Sequence, residues 1–246
     1  MTVRIEVTIG APPDEVWRAL RDPELIRRWH GWHFGEAGTG LDEEIRFIYV
    51  DHVAEEDPEA RVLVLQESDR FTLHETAGGG TVVRITRAPR GANPDWDAYY
   101  DDITEGWTAF LTQLRFGVER HGLAERRTIA LTGALRDPAA SMLDALGLGA
   151  VAGLPTGSPY KAEAVPGDVL EGEVYAVTGH QRALTVAGFG DGLLLVGGRG
   201  GIGALLTLYG TSDDTFGDIE HRWTSWWETV KTPEGGAEAG SGVGGQ

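Results

Sequence analysis

The sequence predicts an α+β chain made of two diverged copies of one plan, each closed by a long amphipathic helix at its C-terminal end. Two matched ends and the segments between them carry this. Ile103, Trp107, Phe110, Leu111 and Leu114 match Ile219, Trp223, Trp226, Trp227 and Val230 at a constant offset of 116. The start of the plan recurs too, because Pro12, Val16, Trp17, Ala19 and Leu20 match Pro138, Met142, Leu143, Ala145 and Leu146 at an offset of 126. Short alternating segments fill the middle of each copy, and turn residues separate them as in antiparallel hairpins. Matched ends around strand-rich middles favour duplication over chance. The expected bounds are residues 1–121 for the first domain and 127–231 for the second, with a linker near His121–Arg126. Residues 232–246, rich in Gly and Ala, are expected to be a flexible tail.

Taken in order, residues 3–9 alternate with period two and form the first strand. Pro12, Pro13, Asp14 and Glu15 then start a helix, since proline and acidic residues suit a first turn. Asp22-Pro23 interrupts it before a second short helical stretch from Glu24 to Trp29. Residues 30–42 read as Gly-rich turns, and strands are expected over 44–53, 60–68, 70–76 and 81–88. From Trp96 to Arg120 one apolar stripe runs for about six turns, the strongest helix signal in the chain. The second copy repeats this with strands over 127–131, 169–177, 183–187, 193–196 and 204–209, and a helix over 216–231. Its Gly147–Pro166 stretch reads as a loop.

Composition narrows the partners. The 246 residues carry a net charge of −17, with −10 in residues 1–123 and −7 in residues 124–246. So acidic a surface repels phosphate backbones and anionic headgroups, so neither nucleic acid nor membrane is an expected partner. No Cys is present, which removes thiolate nucleophiles, disulfides and zinc-thiolate sites. No metal and no cofactor are expected. The start alternates like a strand and lacks the apolar core of a signal peptide, which makes a cytoplasmic address the expectation. Nineteen Arg against Lys161 and Lys231, with abundant Gly and Ala, is the composition of a GC-rich bacterial genome.

The order strand, helix pair, antiparallel strands, long helix resembles the START-related superfamily that includes the birch-pollen-allergen fold, often labelled SRPBCC. Within it, the first copy is similar to homologues of the activator of the heat-shock chaperone ATPase. The residues that carry this are Ala11-Pro12-Pro13-Asp14-Glu15-Val16-Trp17-Arg18-Ala19-Leu20-Arg21-Asp22-Pro23-Glu24-Leu25-Ile26-Arg27-Arg28-Trp29 and Glu105-Gly106-Trp107-Thr108-Ala109-Phe110-Leu111-Thr112-Gln113-Leu114. The resemblance implies two tandem helix-grip domains, each a curved antiparallel sheet wrapped around its long helix. It implies an internal cavity that in some members holds an apolar ligand. The family has no shared catalytic set, so none is carried over.

Candidate site residues follow from local patterns. His30-Gly31-Trp32-His33-Phe34 concentrates two imidazoles with aromatic rings, next to Trp29. Phe47 and Tyr49 lie two apart on an expected strand, as do Thr72, His74 and Thr76, so one such face would line a cavity. The expected ligand-binding set is therefore Trp29, Trp32, His33, Phe34, Phe47, Tyr49, His74 and Trp107, against the plain reading that these rings fill the core. Gly198-Arg199-Gly200-Gly201-Ile202-Gly203 has the glycine pattern of a dinucleotide loop, but the strand after it is too short to be the required helix, and a hairpin turn is expected. Glu43-Glu44 and Asp101-Asp102 read as solvated faces.

The function expected is binding of a hydrophobic small molecule, mainly in the first domain. The alternatives are an enzyme of the cyclase, aromatase or hydrolase type, or a chaperone-cofactor-like interaction module, with a protein partner or a homodimer left open. No convergent acid, base and nucleophile stand out, so the sequence leans away from an enzyme.

Overall fold

The computed structural model describes residues 3–66, 69–89, 91, 100–197 and 202–233. Strand β1 (Arg4–Ile9) buries Ile5 and Ile9 on one face and leads into helix α1 (Pro13–Arg21). Pro13 at the first turn costs that helix no hydrogen bond, because the N–H it lacks would have had no partner there. Asp22 ends α1 and caps α2 (Pro23–Ile26), accepting from the Glu24 N–H at 3.0 Å.

The segment expected as a strand over 44–53 is helical instead. Helix α3 (Thr39–Arg46) runs into a π-helical turn, Phe47–Asp51. Ile45, Phe47 and Tyr49 gave the segment a period of two. Leu41, Ile45 and Tyr49 also recur every four residues, and this spacing is the one buried against the core. The long stretch then returns to strands: β2 (Val53–Asp57), β3 (Val62–Leu65), β4 (Arg70–Glu75) and β5 (Thr81–Thr86). They form one antiparallel sheet in the order β1-β5-β4-β3-β2. Helix α4 (Tyr100–His121) follows; the part of the expected helix over 96–99 lies outside the described residues.

The second half repeats that order. Strand β6 (Arg126–Thr132), helix α5 (Met142–Ala145) and strands β7 (Pro159–Glu163), β8 (Val169–Val177), β9 (Gln181–Val186), β10 (Gly192–Gly197) and β11 (Ile202–Tyr209) precede helix α6 (Asp213–Val230). The sheet runs β6-β11-β10-β9-β8-β7, antiparallel throughout. In both sheets the first strand pairs with the last and the rest meander back. Strand β7 is an addition to that pattern and corrects the loop expected over 147–166. Between Pro159 and Pro166 the alternation of Tyr160, Ala162 and Ala164 is short, yet Tyr160 is buried and its hydroxyl donates to the Thr185 carbonyl at 2.7 Å.

The halves are layered. One face of the second sheet packs Ile129, Leu131, Leu194 and Leu206 under Trp223 and Trp227 of α6. Its other face contributes Tyr175, Leu193, Leu195, Leu205 and Tyr209 to the core of the first half. Helix α4 lies between the two sheets, and Phe116 meets Tyr175 at 5.2 Å between ring centroids. This is why α4 is buried around most of its circumference rather than along one stripe. The expected linker is a tight corner: Gly122 and Leu123 take φ values of 55 and 57°, and the Leu123 N–H donates to the Gly117 carbonyl at 2.9 Å. No described helix is long and apolar enough to cross a membrane. The glycine-rich loop at 198–201 and the tail from 234 lie outside the described residues.

Candidate functional site

The pattern of α2 continues past its end, and that places a polar ring in the core. Ile26 and His30 are four residues apart, the His30 N–H donates to the Ile26 carbonyl at 2.8 Å, and both side chains are fully buried. The imidazole sits in a box of aromatic rings, with centroid distances of 5.7 Å to Trp29, 5.2 Å to Tyr49, 6.0 Å to Trp107 and 4.5 Å to Phe110. Trp29 is fixed by its own indole, which donates to the Ala19 carbonyl at 2.8 Å. Trp107 is fixed the same way, donating to Asp69 at 2.8 Å.

The π-helical turn brings Tyr49 round so that its hydroxyl lies 3.0 Å from His30 Nδ1. The other nitrogen, Nε2, is buried without a hydrogen-bond partner. The nearest carboxylate oxygen, Glu44 Oε1, is 3.8 Å away, and the Glu44 side chain is 35% exposed. Burial lowers the His30 pKa, Glu44 pulls it back and the Arg126 guanidinium lowers it further. Burial likewise raises the Tyr49 pKa well above the usual phenol range. The pair is therefore a neutral imidazole beside a protonated phenol. With the Tyr49 O–H donating to Nδ1, the ring proton sits on Nε2 and faces Glu44, a tautomer assigned from these partners.

A second polar layer holds the loop that carries His30. Arg126, buried at the start of β6, donates to the carbonyls of His30 and Gly31 and to the Gln113 amide oxygen. Gln113 donates to the Gly31 carbonyl at 3.2 Å and accepts from Thr207 Oγ1 at 3.0 Å. Carbonyl oxygens thus surround the Arg126 charge, and its burial pushes the guanidinium down to about 10. Gly31 itself has φ of 55°, and a Cβ there would stand 3.3 Å from Leu41 Cδ1.

Of the expected residues, the fold brings Trp29, Tyr49 and Trp107 together around His30. Trp32 is half-buried at the edge of the box, 6.5 Å from Phe110, and Phe34 lies outside it, 40% exposed over Gly40. His33 points away from the box. Its N–H donates to Thr128 Oγ1 at 2.7 Å, and its Nδ1 lies 3.0 Å from the same hydroxyl. Burial, with Arg126 and Arg27 nearby, lowers its pKa to about 4. Phe47 is corrected, because the helical turn leaves it 47% exposed and tilted against His52 at 3.7 Å. His74 is also corrected: Phe71 and Leu73 take the inner face of β4, and His74 stands on the outer one, 3.0 Å from Thr72 Oγ1. His30, Glu44, Phe110, Gln113 and Arg126 were absent from the expected set. His30 stood in the 30–34 cluster and Phe110 on the helix stripe, and the four-residue spacing of Ile26 and His30 was the signal that His30 turns inward.

Comparison with known proteins gives one family. Residues 10–116 match the family of activator of Hsp90 ATPase homolog 1-like protein. No curated protein matches the chain. Among solved structures, the di-domain ARO/CYC BexL from the BE-7585A biosynthetic pathway is 15% identical over 93% of this chain and 94% of its own, with a TM-score of 0.36. DynU16, from the dynemicin biosynthetic locus, is 18% identical over 92% of this chain and 94% of its own, with a TM-score of 0.32. A protein from Mesorhizobium loti is 23% identical over 49% of this chain and 98% of its own, with a TM-score of 0.32.

Proposed function

Because residues 10–116 match the family of activator of Hsp90 ATPase homolog 1-like protein, we propose that residues 1–121 form a domain that takes up a hydrophobic small molecule. It binds between its sheet and α4, against Trp29, Tyr49 and Trp107, with Trp32 and Phe34 toward the rim. Residues 127–231 form the supporting domain. The observation that carries this reading is His30 Nε2, a fully buried N–H with no acceptor, set in a shell of aromatic rings. Such a polar pair, His30 with Tyr49, kept inside an apolar shell suits an apolar molecule that carries one polar atom. The test is native mass spectrometry with organic extraction, followed by thermal melts against a panel of lipids and polyketides. A specific adduct released on extraction supports the reading. An empty protein whose melting ignores the whole panel removes it.

A second reading, an enzyme acting on such a molecule, is favoured by the carboxylate of Glu44 lying 3.8 Å from His30 with Tyr49 on the opposite nitrogen. An interaction module would leave a large apolar patch exposed, for instance at Trp226 or Trp227. Trp227 is buried with its indole donating to the Thr132 carbonyl at 3.0 Å, and Trp226 is half-buried, which weakens that reading.

A further inference from the structure

The geometry points to a proton relay, Glu44 to His30 to Tyr49, that connects solvent to the aromatic interior and selects a ligand whose polar atom is a hydroxyl. This rests on the ligand-binding reading above and specifies its site. Three features build it. Glu44 is the outer end, partly exposed on α3, and its Oε1 stands 3.8 Å from Nε2. That gap is too long for a hydrogen bond, and rotation of an exposed side chain or one bridging water closes it. His30 is the middle, fully buried, with its second nitrogen committed to Tyr49 at 3.0 Å. Tyr49 is the inner end, its ring 6.0 Å from Trp29 and 6.4 Å from Trp107.

The tautomer sets the direction and the ligand class. Tyr49 spends its O–H on Nδ1, so what it offers the interior is an oxygen lone pair. A ligand complements it by donating, which fits a phenol, enol or alcohol and not a ketone or an ether. The transfer balances without any electron changing hands. The ligand O–H bond breaks and its proton goes to the Tyr49 oxygen, while the ligand oxygen keeps the electron pair. The Tyr49 proton passes to Nδ1, and the Nε2 proton passes to the Glu44 carboxylate, which releases it to water.

Two measurements on the full chain test the proposal separately. The first uses ¹⁵N-labelled protein and reads the His30 ring nitrogens and the exchange of the Nε2 proton with water by NMR. The expected spectrum has Nδ1 unprotonated and Nε2 protonated, with exchange at least about tenfold slower in Glu44→Gln. The ring of His33, tied to Thr128, is the internal control and keeps its rate. Equal His30 exchange rates in wild type and Glu44→Gln, or a proton on Nδ1, overturn the relay. The second compares binding of 2-naphthol with 2-methoxynaphthalene, which cannot donate. Wild type is expected to prefer the naphthol by about tenfold, one hydrogen bond's worth, and Tyr49→Phe to erase that preference while still binding the ether. A preference that survives Tyr49→Phe overturns the hydroxyl assignment. Failure of both compounds to bind overturns the ligand reading along with it, and the exchange rates still decide the relay.

Discussion

Truncating Trp107 to Ala measures whether the aromatic box is packed core or the wall of an open space. The indole is almost fully buried, with Phe71 at 5.1 Å and Phe110 at 6.2 Å between centroids, besides His30 and Tyr49. Removing so large a side chain from packed surroundings costs about 3–5 kcal/mol. The lost bond from Nε1 to Asp69 adds about 1.5–3 kcal/mol, of which part is recovered because Asp69 keeps the Arg87 guanidinium at 3.0 Å. The sum is about 4–6 kcal/mol. Trp223 is the matched control: it is buried on α6, donates to Asp168 at 2.8 Å, and Asp168 keeps Arg222 at 2.6 Å. Trp223→Ala therefore predicts the same loss. Urea unfolding followed by circular dichroism gives both values. A loss below about 1.5 kcal/mol at Trp107 beside a full loss at Trp223 would refute close packing around Trp107 in the free protein and leave the ligand space already open against it; the full loss means that this space opens only as the ligand enters.

Three further outcomes follow from the site. Gly31→Ala is expected to cost about 1–2 kcal/mol in urea unfolding, since its φ of 55° strains any Cβ and Leu41 stands 3.3 Å from it. Arg126→Met leaves the His30 and Gly31 carbonyls and the Gln113 amide oxygen short of a donor and is expected to cost about 2–4 kcal/mol, with Arg126→Lys failing to restore it because one ammonium cannot span all three acceptors. His33 is neutral when folded, with its pKa lowered to about 4 from 6.5, so the unfolded chain takes up its proton first. Its contribution to stability is full above pH 6.5 and is lost as pH falls toward 4; melts of His33→Gln between pH 6.5 and 5 should show a flatter decline than wild type.

How far the sequence carried depended on which interaction decided each element. The stripe from Ile103 to Leu114 and its copy from Ile219 to Val230 read correctly because burial of large apolar side chains at helical spacing is a local, strong signal. The helix over Thr39–Asp51 misread because Ile45, Phe47 and Tyr49 satisfy two periods, and only contact of Leu41, Ile45 and Tyr49 with the core chooses between them. That misreading propagated to the site: it placed Phe47 inward, whereas Tyr49 alone turns in. Glu44 read as solvated surface, which its exposure supports, but its proximity to His30 depends on a loop that Arg126, ninety-six residues from His30, holds in place. No pattern within a short window encodes that contact.

The position of α4 between two sheets has a consequence for the order in which the chain acquires its structure. As synthesis proceeds, residues up to His121 can close β1 to β5 over one side of α4, while Phe116 and its neighbours wait for Tyr175 and Tyr209, which have yet to be made. During that interval the first half carries an uncovered greasy flank. Nascent chains stalled before β8 are thus the species most prone to mutual sticking, and a separately expressed 1–121 fragment would inherit the same exposure permanently. Solubility of the whole then depends on prompt arrival of its second half, and the two copies act as one cooperative unit instead of two beads on a string.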